Sequence, residues 1–344
     1  MKIVSGRRWL FAAGLTVSLI MAGETVALAA SSSSTPATWV HVPGAMVRAE
    51  CVHALPKGAY VTTSTGDVMV SGVVQEHHEP CAEPFVPSHE VSSASNSTPD
   101  APNSTGGGWV EDWRSASSVP FSYIYSRWVV PANPPAVALK TFPKGAGVAF
   151  WNGAETTGCY ANPLSNCAII QSVLTFGSDW GGFEWATNTP WSFGSDTSWA
   201  ITSWYGDTSG NYWYTPPQPV STGNTISGSQ SIIATGNGWI EWLVQTSSSN
   251  GSWTDGWVSF PSNLQWTNAF PIVLESYYHT NCNQFPVGWE WGSDMYLWTG
   301  YPNQNTVAPP LFPEQPINEP VSGLYCGWAQ TYSSAAQAVG IYAN

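Results

Sequence analysis

Aromatic and β-branched residues recur along this chain in short runs cut by glycine, asparagine, serine and proline. Clear runs fall at 122–130, 147–151, 168–176, 199–205, 238–245, 257–260 and 272–279. Such segments suit a pleated, half-buried surface, and no amphipathic helical stretch separates them. Strands that follow one another without crossover helices build a sandwich or a barrel, not an α/β enzyme. The expected class is all-β, and only residues 329–342 read as a short helix. The 21 tryptophans exceed what one core holds comfortably, so several are expected along an exposed groove.

The N-terminus has the pattern of a secretory signal over residues 1–29. Lys2, Arg7 and Arg8 precede an apolar stretch at 9–22, and Ala27-Leu28-Ala29 supplies a small-residue cleavage site. The expected location is therefore secreted and extracellular, with no membrane association after signal cleavage. Six cysteines remain, at 51, 81, 159, 167, 282 and 326. An even count in an oxidising compartment indicates three disulfides, and proximity in sequence suggests Cys51–Cys81, Cys159–Cys167 and Cys282–Cys326. No cysteine spacing matches a metal-ligand pair, and adjacent His77 and His78 read as surface residues, so no metal is assigned.

Residues 30–90 form a possible propeptide or small N-terminal module around the first cysteine pair. Residues 91–106, VSSASNSTPDAPNSTG, have almost nothing to bury and read as a linker. Residues 107–344 are long enough for one domain with a two-layer core.

From residue 145 onward there is no lysine or arginine, against 12 acidic side chains and the single histidine His279. The whole chain has a net charge of −13. A nucleic-acid partner is excluded on charge. Carboxylates that lack ion-pair partners lose little native stability on protonation, which suits an acidic setting.

The chemistry is sought among carboxylates and one amide. Strand alternation in CAIIQSVL puts Ile169, Gln171 and Val173 on one face. In PIVLESYYHTNC it puts Val273, Glu275 and Tyr277 together. A carboxylate on a sheet face among aromatics, without a cation, has its pKa raised by desolvation, as suits a group that alternates between base and acid. In AFWNGAE, Trp151 and Glu155 flank an Asn-Gly turn signal. Glu184, Glu241 and Glu290 are rival carboxylates, each beside a tryptophan. No G-x-S-x-G elbow, H-E-x-x-H, calcium loop or phosphate-binding glycine motif occurs. Carboxylate chemistry, or simple binding of peptide or sugar, remains.

An ordered set of segments over residues 107–282 resembles the glutamic peptidase family, the eqolisins, which are secreted acid endopeptidases. GGWVEDW at 107–113 is similar to the family's opening segment and aligns Trp109 with its groove tryptophan. RWVVPANPP at 127–135 looks like the early Trp-x-Val-Pro strand end. WNGAE at 151–155 resembles Trp-Val-Gly-Ile-Asp, with Trp151 retained and Glu155 in place of aspartate. AIIQSVL at 168–174 resembles the segment of the catalytic glutamine, which falls on Gln171. SWYGD at 203–207 retains Tyr205 and has Ser203 where the family has glutamate. STGNTISG at 221–228 is similar to the next strand. For the catalytic glutamate, Glu275 matches by order and position, whereas Glu241 matches by local similarity in GWIEW.

The resemblance implies a two-layer antiparallel β-sandwich of lectin and glucanase type. It implies endopeptidase activity at acidic pH on unfolded protein or peptide, without cofactor, in a chain acting as a monomer. Gln171 and Glu275 would be the catalytic pair, with Trp109, Trp151, Glu155 and Tyr205 around the groove. The competing expectations are a lectin-like carbohydrate-binding protein or glycoside hydrolase, and a catalytically silent peptide-binding or structural relative. Glycoside hydrolysis would demand two carboxylates facing each other across a cleft.

Overall fold

A computed structural model describes residues 39–91, 107–138, 140, 146–161, 163–177, 179–180, 183–184, 198–277, 279, 281–301, 305–307, 312–313, 326, 329–333 and 338–343. The signal segment and residues 92–106 of the linker lie outside this set, and the described residues belong to one unit, 37–344. Among them no helix is long and apolar enough to cross a membrane.

The leader segment comes first. It contains β1 (Trp39–Val42), β2 (Ala45–Arg48), β3 (Val52–Ala54), β4 (Ala59–Thr62), β5 (Asp67–Val70), β6 (Val73–His77), β7 (Val86–Pro87) and the one-turn α1 (Ser88–Val91). The body opens with β8 (Gly107–Ala116), β9 (Phe121–Val129), the short α2 (Pro135–Ala138), β10 (Gly147–Glu155) and β11 (Ile169–Phe176). A small pair follows, β12 (Asp179–Trp180) and β13 (Phe183–Glu184), then β14 (Trp199–Gly206), β15 (Tyr212–Tyr214) and β16 (Gln218–Val220). The long strands β17 (Thr225–Gly236), β18 (Trp239–Ser248), β19 (Trp253–Pro261) and β20 (Asn268–Tyr277) come next. The chain closes with β21 (Gly288–Thr299), β22 (Asn305–Val307), β23 (Phe312–Pro313), β24 (Ala329–Ser333) and β25 (Ala338–Ala343).

Two large sheets make a sandwich. The inner sheet runs β23-β8-β20-β10-β11-β14-β15-β3, with β16 also on β14. The outer sheet runs β24-β25-β21-β9-β17-β18-β19-β4-β5-β6, with β22 on β21. Alternation sorts each inner strand. Ile170 joins Trp242, Val244 and Val258 in a core between the sheets, while Ile169 and Val173 join Trp151 and Trp204 on the opposite side. Phe150, Leu174 and Ile201 meet Trp128 and Ile226 in a second inter-sheet cluster. Between the sheets the Gln230 amide donates to Ser172 Oγ at 2.7 Å.

The leader does not stand apart from this sandwich. β3 lies parallel to β15 at the edge of the inner sheet, and β4 lies parallel to β19 at the edge of the outer one. Between them, β1, β2 and β7 form a separate three-stranded sheet. Val40, Val42, Ala45, Val47 and Phe85 pack on the inner-sheet face that turns away from its partner sheet.

The three disulfides pair as sequence proximity suggests: Cys51–Cys81, Cys159–Cys167 and Cys282–Cys326. One expectation is corrected at residues 329–342. The described residues there are not helical: 329–333 and 338–343 are the antiparallel strands β24 and β25, and β25 pairs with β21. Ala338 and Val339 are buried there, and tertiary pairing overrides a weak local propensity.

Candidate active site

Strand β10 organises the site. It pairs with β11 on one side, Gly153 opposite Gln171, and with β20 on the other, Ala149 opposite Glu275. Gln171 and Glu275 are therefore one strand apart, not on adjacent strands, and alternation turns both side chains to the face carrying Trp151, Val173 and Val273. Both are fully buried.

What buries them is the turn between β1 and β2. The Gly44 N–H donates to Glu275 Oε2 at 2.8 Å. A Cβ at Gly44 would stand 2.2 Å from Gln171 Nε2 and 2.6 Å from the Ile169 Cδ1, so only glycine fits, and its φ of +82° also favours glycine. Glu275 and Gln171 thus converge on a single residue of the leader. Two tyrosines hold the carbonyls on either side. The Tyr277 hydroxyl lies 2.9 Å from Val42 O and 2.6 Å from Glu275 Oε2. The Tyr212 hydroxyl lies 2.5 Å from Pro43 O and 3.2 Å from Gln171 Oε1. Gln171 Nε2 has no hydrogen-bond partner among the described residues.

Burial pushes the Glu275 carboxyl up to about 7, against the hydrogen bonds from Tyr277 and Gly44 and a weaker pull from Trp151. The same burial, with the nearby Glu275 charge, holds the Tyr212 and Tyr277 hydroxyls well above the usual phenol range. Both tyrosines therefore stay neutral donors wherever Glu275 titrates.

The other sequence-predicted residues divide. Trp151 is buried on the site face, its ring 5.5 Å from Phe270. Trp109 stands on β8, its backbone opposite Glu275. Glu155 ends β10, buried, with Oε2 3.6 Å from His89 Nδ1 of the leader. Tyr205 is a correction. It faces the inter-sheet core with Trp213 and Trp242, because its β14 neighbour Trp204 takes the site face. The tyrosine that reaches Gln171 is Tyr212 on β15, which sequence reasoning missed. Its signal was the run YWY, where alternation puts Tyr212 and Tyr214 on one face and Trp213 on the other.

Glu241 is also corrected as an alternative base. It lies on β18 of the outer sheet, where its strand neighbour Trp242 takes the inward position, and it does not face Gln171. Glu290 lies on β21 of the same sheet, and burial pushes it up to about 8. The side chain of Glu184 lies outside the described residues. Exposed tryptophans Trp239, Trp253 and Trp291 sit on separate outer-sheet strands, not along the expected groove; Trp151 and Trp204 line the covered face instead.

No protein-family model matches the chain, and no curated protein matches it. Among solved structures it is similar to two of Scytalido-glutamic peptidase, one with a peptide-based transition state analog and one with a transition state analog inhibitor. Both are glutamic peptidases. They are 15% and 16% identical to this chain, cover 68% and 69% of it and 98% of their own length, each with a TM-score of 0.43. At that identity and TM-score the likeness transfers no residue roles to this chain.

Proposed function

We propose that the body is an acid endopeptidase in which Glu275 activates water and Gln171 stabilises the oxyanion. The observation that supports this reading is the occupant of the site. A stretch of main chain, Val42–Ala45, lies across the Glu275–Gln171 pair, with its N–H on the carboxylate and its carbonyls on two tyrosines. A site that grips backbone amides and carbonyls is built for peptide.

Removing the turn changes each group in a useful direction. Water reaches Glu275, whose carboxyl falls back toward the ordinary carboxylate range and ionises in mildly acidic solution. The Tyr212 hydroxyl has one proton, and without Pro43 O to take it, that proton goes to Gln171 Oε1. The amide is then fixed with Nε2 pointing forward. Ionised Glu275 takes a proton from water as the water oxygen bonds to the peptide carbonyl carbon. The carbonyl oxygen gains negative charge, and Gln171 Nε2–H donates to it. Glu275 then returns its proton to the amine as the C–N bond breaks. A donor placed where charge develops contributes roughly 10²–10³ in rate.

The test is release of new amino termini from denatured protein by the full chain at pH 2–6, alongside a reducing-sugar assay on a glycan panel. New termini without new reducing ends support the reading; reducing ends alone overturn it. A second reading, carbohydrate binding, is favoured by an aromatic row on the outer sheet. Tyr123 and Trp298 rings lie 4.6 Å apart, Tyr123 and Tyr125 6.3 Å and parallel, and Tyr125 and Tyr296 5.7 Å. Such a row offers flat stacking faces without any catalytic carboxylate pair. Retention on glycan beads that is lost in Tyr123→Ala and kept in Glu275→Gln would support it.

A further inference from the structure

We infer that the leader carries a histidine-latched plug: protonation of His41, His53 and His89 in acid makes residues 39–54 and 85–91 release the inner sheet and uncover the site, while β4–β6 stay on the outer sheet. This rests on the peptidase reading for its purpose, but not for its physics.

Five of the six histidines, at 41, 53, 77, 78 and 89, lie in the leader, and the body holds only His279. Four of the five lie against the body; His78, its ring 5.1 Å from Trp213, is paired with Glu76 of its own segment, and the other three form the latch. The His41 ring is buried 5.2 Å from the ring of Tyr277, the residue bonded to Glu275. His53 packs 4.7 Å from Trp213, with Nε2 2.9 Å from Asn211 Oδ1. His89 stacks on Tyr160 at 4.4 Å, with Nε2 3.2 Å from Cys159 O. None of the three disulfides joins leader to body, since Cys51–Cys81 closes within the leader and the others within the body. The leader is therefore held by non-covalent contacts, beyond the chain itself.

Charged groups lie near each ring. Glu275 lies beyond Tyr277 from His41. His53 meets His78 and Glu76 of its own segment. His89 meets Glu155, which favours its charged form, and Arg114, which opposes it. Burial dominates for all three and pushes each imidazole down to about 4. Freed into water, each returns to about 6.5. The sign follows: below pH 6.5 the released leader binds protons that the docked leader refuses, so falling pH favours release.

Other groups enter the balance. Glu275, at about 7 when covered, loses a proton on opening and counts in the opposite sense. Asp207 is raised to about 6 by burial beside Phe85 of the leader, against hydrogen bonds from Ser209, Trp213 and Asn211, so it too loses a proton when the leader lifts. His77 pairs with Asp67 and Glu79 inside the leader, and His279 stays beside Phe285 in the body. Three protons gained and two lost leave about one, so docking weakens by up to about tenfold per pH unit between 6 and 4.5.

Hydrogen–deuterium exchange of the full chain, corrected for intrinsic rates, reads the latch directly. Residues 39–54 should be protected at pH 6.5 and lose protection by pH 4.5. The triple variant His41→Gln, His53→Gln, His89→Gln should stay protected throughout, because the remaining Glu275 pulls the other way. Loss of protection at the same pH in that variant, or protection persisting to pH 4 in the unaltered chain, overturns the proposal. Should the variant fail to fold, ring NMR of the unaltered chain decides: three imidazoles must gain protons in step with opening, and titration near 6.5 under a closed leader overturns the latch. Hydrolysis is not part of the readout, so an open leader without peptide cleavage overturns only the peptidase reading.

Discussion

Gly44→Ala is the sharpest perturbation of the plug. At φ +82° an alanine pays roughly 1–2 kcal/mol of backbone strain. Its Cβ would also meet Gln171 Nε2 at 2.2 Å and the Ile169 side chain at 2.6 Å, so the turn must lift from the sheet. Lifting stretches the Gly44 N–H bond to Glu275, whose carboxyl is mostly neutral at pH 6.5, a hydrogen bond that contributes roughly 0.5–1.5 kcal/mol. Together the loss is about 1.5–3.5 kcal/mol, at least about tenfold in docking. Gly58→Ala is the control. It sits in the same leader at φ +73° with nothing within 4 Å of the added methyl, so it carries the strain without the collision. The assay is hydrogen exchange of residues 39–48 at pH 6.5, with hydrolysis of a denatured protein followed in parallel. Gly44→Ala should expose the turn and show hydrolysis before any acid treatment, and Gly58→Ala should do neither. Equal protection of the turn in Gly44→Ala and the unaltered chain would refute the plug geometry.

Tyr212→Phe removes the hydroxyl that fixes the Gln171 amide; kcat on a peptide substrate should fall roughly threefold to tenfold with KM nearly unchanged, the loss of one ordinary hydrogen bond. Glu290→Gln should leave thermal stability unchanged at pH 4 and raise it at pH 8.5 by roughly 2–4 kcal/mol, measured as the melting temperature. The sign follows from its raised value of about 8: stability present below the ordinary 4.5 is lost as pH rises through 8, and glutamine has nothing to lose.

The fold was legible where period and chemistry agreed. Alternation in CAIIQSVL and PIVLESYY assigned Gln171 and Glu275 to faces, and the structure puts both faces on the same side of one sheet. Tyr205 failed because a tyrosine next to a tryptophan on a doubly covered strand has two apolar faces to choose from, and only the core volume on each side decides. The 329–342 expectation failed because small residues specify neither period. The occupant of the site was the least legible element. Nothing local in VPGA announces that its glycine fits between a glutamine and a glutamate 127 and 231 positions further on; that is a property of the packed sheet.

The proposed mechanism assigns the activation of water to Glu275 and to no other carboxylate. It is tested by the rate of new amino termini released from denatured protein at acidic pH by Glu275→Gln and Glu241→Gln, each verified as folded. Glu275→Gln should lose hydrolysis by about a thousandfold or more, as expected when the general base is removed from a charge-developing step, while Glu241→Gln should keep the parent rate. Undiminished hydrolysis in Glu275→Gln, or loss confined to Glu241→Gln, would contradict it.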